Sequence, residues 1–385
     1  MKTKVLQFAS VINHNDFIDT IIRFIEKDQF EIEACTLGDA ANIEAPRYSE
    51  IGVIHHNLGS WSRSRYPSVV IRLAWLLRAR RVDVLHVHHF EEALAGVAAG
   101  LLARTPAVVI GRHYDDEIYL LSTGWKRRVL LGIEAICNRM ARGVIVPSMQ
   151  IHDRLVAHER VKQEKVWLIP YGFDFAAQRY RSTPIQDVSR LRRDLGLEGS
   201  FVIGNVGRHH PLKGQRYLLD ATRALVGEFG EVRVLLVGDG AEHSRLRAYA
   251  QDLGIADRVV FTGWRRDVPQ LLDVMDVVVH PSLHEALPQV MVEALAKARP
   301  LVITNVSGAS EHIRHRQTGI LVPKRDADAI RNAVAWVIRN RDEAKEMAES
   351  GRKYVSSALD IRQVIGRYEA CYGALSEQNL RRRLN

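Results

Sequence analysis

Short apolar or β-branched runs alternate with longer amphipathic segments along most of the chain. Val5–Phe8, Ile32–Thr36, Val84–His88, Ala107–Gly111 and Gly143–Val146 have the length and residue types of buried strands. Between them, Ser68–Arg81, Glu92–Leu102 and Trp125–Arg142 carry apolar residues at helical spacing. This rhythm predicts βαβ units around a parallel sheet. It pauses near Ile169-Pro170-Tyr171-Gly172-Phe173-Asp174, and residues 176–199 read as a polar connector with a short helix around Val188–Leu195. It then resumes with Phe201–Asn205, Val232–Val237, Val259–Thr262, Val277–His280, Leu301–Thr304 and Ile320–Val322. The expectation is an α/β protein of two doubly wound, Rossmann-like domains, residues 1–175 and 176–360, facing a deep interdomain cleft. A final helix over 361–385 is expected to return to the first domain. Ligands of such sheets gather at the C-terminal strand ends.

Length and composition fit that reading. A chain of 385 residues is long for one core, and 46% hydrophobic with 26% charged residues is ordinary for a globular protein. Cys35, Cys137 and Cys371 are too few and too scattered for a disulfide framework or a zinc site, so a reducing, cytoplasmic setting is expected. The N-terminal run has no signal-peptide core, and no stretch approaches the ~18 apolar residues of a membrane span. The net charge of +9 favours anionic partners: nucleoside diphosphates, a phospholipid surface or nucleic acid. Nucleic acid is set aside, because no zinc finger, basic zipper or ribonucleoprotein signature is present.

The densest chemistry lies in His284-Glu285-Ala286-Leu287-Pro288-Gln289-Val290-Met291-Val292-Glu293, after the strand-like Val277–His280. Glu285 falls in the loop leaving the strand. Glu293 lies eight residues on, near the same face of the helix that follows. Pro288 suits that helix's first turn, and a helix start attracts phosphate. A carboxylate beside it can accept hydrogen bonds from sugar hydroxyls, so the pattern points to a nucleotide-sugar. Upstream, Gly207-Arg208 and Lys213-Gly214 follow another strand, and a guanidinium with an ammonium five residues on can neutralise a diphosphate without a metal. A pair of solvated surface cations is the bland alternative, and the position after a buried strand argues against it. Gly238 and Gly263 close two further strands, as ligand-approach points or simple turns. Trp264 reads as a core or rim aromatic. The glycines of Asn305–Glu311 and Thr318–Pro323 read as strand-end turns.

In the first half, Gly111-Arg112-His113 follows a strand, and a neutral imidazole at His113 can hydrogen-bond a sugar or handle an acceptor proton. Asp115-Asp116-Glu117 resembles a metal site by composition, but an acidic helix start explains it equally. His86 and His88 share a strand face and make a conceivable zinc pair without a marked third ligand; polar residues at a cleft edge are the simpler reading. Ser68–Arg81 and Trp125–Arg142 mix apolar and basic residues, as membrane-surface helices do and as sheet-covering helices also do.

Taken together, Gly207-Arg208 with Lys213-Gly214, the Glu285/Glu293 pair and the Gly308/Glu311 loop resemble the retaining glycosyltransferases of family four, of GT-B architecture. The resemblance covers most of residues 200–323. The first domain matches loosely, through the Arg112-His113 loop, Ser148 and residues 169–174. It implies that residues 1–175 are the acceptor side and 176–360 the donor-nucleotide side. Arg208 and Lys213 would hold the donor diphosphate, Glu285 the donor-sugar hydroxyls and Glu293 the ribose. Leu287, Gln289 and Val290 would present backbone groups to sugar and phosphate, and His113 would lie beside the transferred sugar. The family works without a bound metal or cofactor, the nucleotide-sugar being substrate. Where the family has a glycine-rich loop after its first strand, this chain has Ser10–Asp16, so Asn13 or His14 would contact phosphate or acceptor instead. The expected activity is transfer of a hexose-type sugar from a UDP-linked donor to a hydroxyl acceptor in polysaccharide, glycolipid or other glycoconjugate synthesis, with peripheral contact to an anionic membrane. A sugar-nucleotide epimerase of related fold and a non-catalytic nucleotide-sugar binder are the alternatives.

Overall fold

The computed structural model describes residues 2–12, 17–38, 45–59, 66–113 and 123–384. Asn13 and His14, and the acidic run Asp115-Asp116-Glu117, lie outside the described residues. The chain forms two compact units, Met1–Asp174 with Leu359–Asn385, and Phe175–Ala358.

The first unit is built on seven strands: β1 (Thr3–Ala9), β2 (Phe30–Thr36), β3 (Ile54–Asn57), β4 (Val84–His88), β5 (Ala107–Gly111), β6 (Gly143–Val146) and β7 (Val166–Leu168). They are all parallel, in the order β3-β2-β1-β4-β5-β6-β7. Their apolar continuity follows from burial on both faces, as parallel sheets require. Close cover by the helix Phe90–Ala103 depends on two glycines one turn apart. A Cβ at Gly96 would lie 2.2 Å from Val87 Cγ1, and one at Gly100 2.4 Å from Val108 Cγ2. The helix Ile361–Leu384 packs against the helix Phe17–Phe24 and β1. The chain enters it through a short bridge, Phe173 N–H donating to Leu359 O at 2.8 Å and Ile361 N–H to Phe173 O at 3.0 Å. Tyr368 and Tyr372 on this helix are fully buried.

The second unit has six parallel strands: β8 (Phe201–Val206), β9 (Val232–Val237), β10 (Val259–Gly263), β11 (Val277–His280), β12 (Leu301–Thr304) and β13 (Ile320–Val322), ordered β10-β9-β8-β11-β12-β13. Ile203, Val234, Val279, Leu218, Leu225 and Val334 are among its fully buried core residues. Each such side chain stabilises the fold by about 1.5–3 kcal/mol.

Both sheets are doubly wound, and strand order reverses between β1 and β4 in the first and between β8 and β11 in the second. At such a switch point the loops leaving neighbouring strands diverge to opposite faces and open a crevice for ligand. Chemistry on the loops after β8 and β11 is therefore where the topology expects it.

Candidate functional site

The loops after β8 and β11 are fastened together by their backbones. Leu283 N–H donates to Leu212 O at 2.7 Å, and Ser282 Oγ donates to the same oxygen at 3.0 Å. Gly214, at φ 67°, lets the first loop turn against the second, since a Cβ there would lie 2.1 Å from Pro281 O. The tight turn Pro211–Lys213 presents Lys213, whose Nζ donates to Glu285 Oε1 at 2.6 Å. His280, the last residue of β11, donates Nε2–H to that oxygen at 2.8 Å. Burial alone would raise the Glu285 carboxyl. The His280 hydrogen bond and the Lys213 charge overcome it and hold the group well below the usual carboxylate range. Glu285 is thus an anion, and His280 must be its donor. His280 Nδ1 is buried without a hydrogen-bond partner among the described residues.

Arg208, also in the loop after β8, has an exposed side chain. Buried Gln215 fixes its backbone, Nε2 donating to Arg208 O at 3.0 Å. Among the described residues no carboxylate pairs with its guanidinium, which leaves it open to an anion. Gly207, Gly238 and Gly263 come together although they are far apart in sequence. Gly238 N–H donates to Gly263 O at 2.9 Å, and a Cβ on Gly238 would lie 2.1 Å from Gly207 O.

The helix carrying Glu293 spans Gln289–Ala296. Pro288 stands just before it as the cap, at φ −67° and ψ 110°, rather than in its first turn as expected; its extended ψ places it outside the helix. Leu287 is buried and touches the loop after β12, where a Cβ on Gly308 would come within 3.1 Å of Leu287 Cα. Gln289 and Val290 are half-buried at the helix start. Glu293 is ion-paired with Arg179. Burial holds its carboxyl above the usual range, although Arg179 pulls the other way. Trp264 is a rim residue, 68% exposed, with the Arg266 guanidinium over its ring.

In the first unit, His86, His88 and His113 belong to one relay. Gln7 Nε2–H donates to Tyr372 Oη at 2.9 Å, and Tyr372 Oη lies 2.8 Å from His86 Nδ1. Gln7 Oε1 lies 2.8 Å from His88 Nε2, His88 Nδ1 lies 2.9 Å from His113 Nε2, and His113 Nδ1 lies 3.0 Å from Tyr171 Oη. Proton counting fixes the tautomers of His88 and His113. The amide oxygen can only accept, so His88 carries its proton on Nε2 and offers a lone pair on Nδ1. His113 then donates from Nε2 and accepts the Tyr171 hydroxyl proton on Nδ1. Burial, with the neighbouring imidazoles, holds His88 and His113 well below the usual histidine range and keeps both neutral. Both nitrogens of His113 are engaged, so it meets a new partner only by giving one up. His86 and His88 are 1% and 0% exposed. They are relay members inside the unit, not polar residues at an edge.

Arg112 is likewise removed from any ligand role. It is 1% exposed, forked onto Glu159 with both bonds at 2.8 Å, and 3.0 Å from Glu134. Sequence reasoning missed His280, Arg179, Tyr171 and Tyr372. His280 had a signal, as a polar residue closing an otherwise apolar strand beside the glutamate loop. Tyr171 was marked only as part of the segment Ile169-Pro170-Tyr171-Gly172-Phe173-Asp174, and Arg179 and Tyr372 had no signal.

Two doubly wound parallel α/β units, with a lysine–carboxylate pair beside glycine turns at a switch point, define a GT-B glycosyltransferase. Comparison with known proteins agrees. Residues 16–177 match the family model Glycosyltransferase Family 4, and residues 187–354 match Glycosyl transferases group 1. The chain belongs to this glycosyltransferase family and transfers sugar from a nucleotide-sugar. It is 32% identical over 312 residues to the GDP-mannose-dependent alpha-(1-6)-phosphatidylinositol monomannoside mannosyltransferase of Mycobacterium tuberculosis, covering 76% of this chain and 78% of that one. It is 28% identical over 275 residues to the UDP-Gal:alpha-D-GlcNAc-diphosphoundecaprenol alpha-1,3-galactosyltransferase of Escherichia coli, covering 70% and 69%. The structure of Anabaena HepE in complex with UDP and glucose shares the fold, with a TM-score of 0.82 at 22% identity over 97% of this chain and all of that one.

Proposed function

We propose that the chain moves a hexosyl group from a UDP-sugar to a hydroxyl acceptor, with retention of anomeric configuration and without a metal. The observation that carries this reading is the contact of Lys213 Nζ with Glu285 Oε1 at 2.6 Å, with Arg208 exposed on the same loop. In the reaction the bond between the anomeric carbon and the diphosphate oxygen breaks, and its electron pair leaves with UDP. Lys213 and Arg208 take up the charge that develops there. The acceptor oxygen attacks the same face of the sugar, and its proton passes to the departing phosphate oxygen. Glu285 holds donor-sugar hydroxyls, oriented by His280. Glu293 receives the ribose and shares its carboxylate with Arg179. The free N–H groups opening the helix Gln289–Ala296, with Leu287, face sugar and phosphate. Gly207, Gly238 and Gly263 let backbone approach the nucleotide. His113 serves the transferred sugar as a neutral hydrogen-bonding group. On this reading residues 176–360 are the donor side and residues 1–175 the acceptor side.

UDP and GDP donors both occur among the relatives' names, so donor choice is the first experiment. A panel of UDP- and GDP-sugars is screened for hydrolysis and thermal protection, and NMR of the glycoside product reads the anomeric outcome. Protection by UDP-sugars and an unchanged anomer are expected. Turnover with GDP donors alone, or an inverted product, defeats the corresponding part of the proposal.

A cytoplasmic location at a membrane face is supported by two features. The three cysteines are buried and free, and three neighbouring helices leave apolar side chains outside. These are Ile71 and Trp75 on Tyr66–Arg80, Leu101 on Phe90–Ala103, and Trp125 and Ile136 on Gly124–Met140. With the basic residues around them, they suit the surface of an anionic bilayer. Among the described residues no helix is long and apolar enough to cross one. Co-sedimentation with phosphatidylglycerol vesicles tests the contact, and absence of binding at low salt ends it.

A further inference from the structure

One cluster in the second unit has no part in the transfer reaction. His209 follows Arg208 in the loop after β8, Asp239 lies in the loop after β9, and His243 opens the helix His243–Asp252. Their donor atoms all lie within 4.8 Å of one another. His209 Nδ1 is 3.1 Å from His243 Nδ1, and His243 Nδ1 is 3.3 Å from Asp239 Oδ1.

Asp239 Oδ1 already accepts the Gly240 N–H at 2.7 Å. If His209 carries the Nδ1 proton, the bare lone pair of His243 faces that carboxylate at 3.3 Å. If His243 carries it, His209 Nδ1 accepts it, and His209 Nε2 stays buried without a partner among the described residues. A cation can replace the shared proton and meet all three ligand atoms together. The spacing fits one as well. Two ligand atoms about 2.0–2.1 Å from a tetrahedral zinc ion lie about 3.3–3.4 Å apart.

The frame is also rigid. His209 N–H donates to Asp239 O at 2.8 Å, Glu242 N–H to His209 O at 3.1 Å, and His243 N–H to Gly240 O at 3.0 Å. The Phe261 ring meets the His209 and His243 imidazoles at 6.1 and 5.5 Å between centroids. His209 is fully buried, whereas the Asp239 and His243 side chains are 61% and 24% exposed, so an ion can enter and keep water as a further ligand.

We propose that His209, Asp239 and His243 bind a divalent transition-metal ion of the zinc class, at a site outside the Lys213–Glu285 pair. Two imidazoles with one carboxylate is a ligand set of that class. The ion ties the loops after β8 and β9 to each other and is not a reactant in the transfer.

The test uses the full chain without an affinity tag, stripped with a chelator and titrated with Co²⁺. The expected result is one Co²⁺ per chain with the visible absorption of a tetrahedral site, displaced by Zn²⁺. His243→Gln should weaken Zn²⁺ binding by about 100-fold and Asp239→Asn by about 10-fold. Both variants change residues that reach the surface, and far-UV circular dichroism confirms that they fold. No visible band overturns the proposal, and so does unchanged affinity in the folded His243→Gln protein. Neither readout depends on sugar transfer.

Discussion

Replacing Tyr372 by Phe removes one buried oxygen and leaves the shape of the ring, so it isolates the worth of the relay in the first unit. The hydroxyl accepts from Gln7 Nε2 at 2.9 Å and shares a hydrogen bond with His86 Nδ1 at 2.8 Å. Tyr372, Gln7 and His86 are all at most 1% exposed, so water does not replace the lost partner. Two polar partners are orphaned, at about 1–3 kcal/mol each. Because Phe fills the same space, no cavity adds to this, and Tyr372→Phe should cost about 2–6 kcal/mol. Against a typical total of about 5–15 kcal/mol that is a large loss. Urea denaturation gives the magnitude. Hydrogen exchange on peptides from β1 and β4, the strands holding Gln7 and His86, gives the location. Turnover should fall too, because Gln7 also holds His88, and His88 holds His113. A variant within about 0.5 kcal/mol of the parent, with unchanged exchange in β1 and β4, refutes the network as a stabilising unit.

Other consequences are open to measurement. Burial holds His86 down to about 3 and His88 well below the ordinary range, so the folded state refuses protons that the unfolded state accepts. Their stability is complete above about pH 6.5 and falls as pH drops below it, by about 3 kcal/mol for the two at pH 5.5; a flat urea midpoint from pH 7.5 to 5.5 contradicts this. Lys213→Met should lower turnover about 10²–10³-fold with little effect on folding, as loss of one charge-stabilising donor does, and unchanged steady-state kinetics removes its role. Gly214→Ala must push Pro281 O away from 2.1 Å and adopt φ 67°. A cost of about 2–4 kcal/mol is expected, and an unshifted melting temperature argues against the two loops being locked together. Glu293→Gln should weaken UDP binding by calorimetry, whereas unaltered affinity frees the ribose from that carboxylate.

The fold was legible wherever strands are buried on both faces. Val84–His88, Ala107–Gly111, Gly143–Val146, Val232–Val237 and Leu301–Thr304 have the bounds that their apolar runs suggest. The two strands that escaped notice, Ile54–Asn57 and Val166–Leu168, lie at the edges of the first sheet. An edge strand needs less apolar sequence, and Ile-His-His-Asn supplies one apolar residue in four. The Lys213, Glu285 and glycine positions were visible because each follows a buried strand. Pairings across long separations were not. Arg179 meets Glu293 from 114 residues away, and Tyr372 meets His86 from 286. No local pattern encodes such partners; they exist only once the sheet order is set. Arg112 illustrates the opposite hazard, a cation at a strand end that looks available and is consumed by two glutamates.

The discontinuity of the first unit has a consequence for biosynthesis. Its sheet is made from the first 174 residues, but its closing helix is Ile361–Leu384, so the second unit, Phe175–Ala358, is complete in the growing chain before the first can be. A nascent chain that has emerged to residue 358 therefore carries an early β1 with Gln7 still lacking the phenol it will bond, while the later-made half can already fold. Emergence of the helix Ile361–Leu384, rather than synthesis of the strands, sets the moment at which the N-terminal half becomes native.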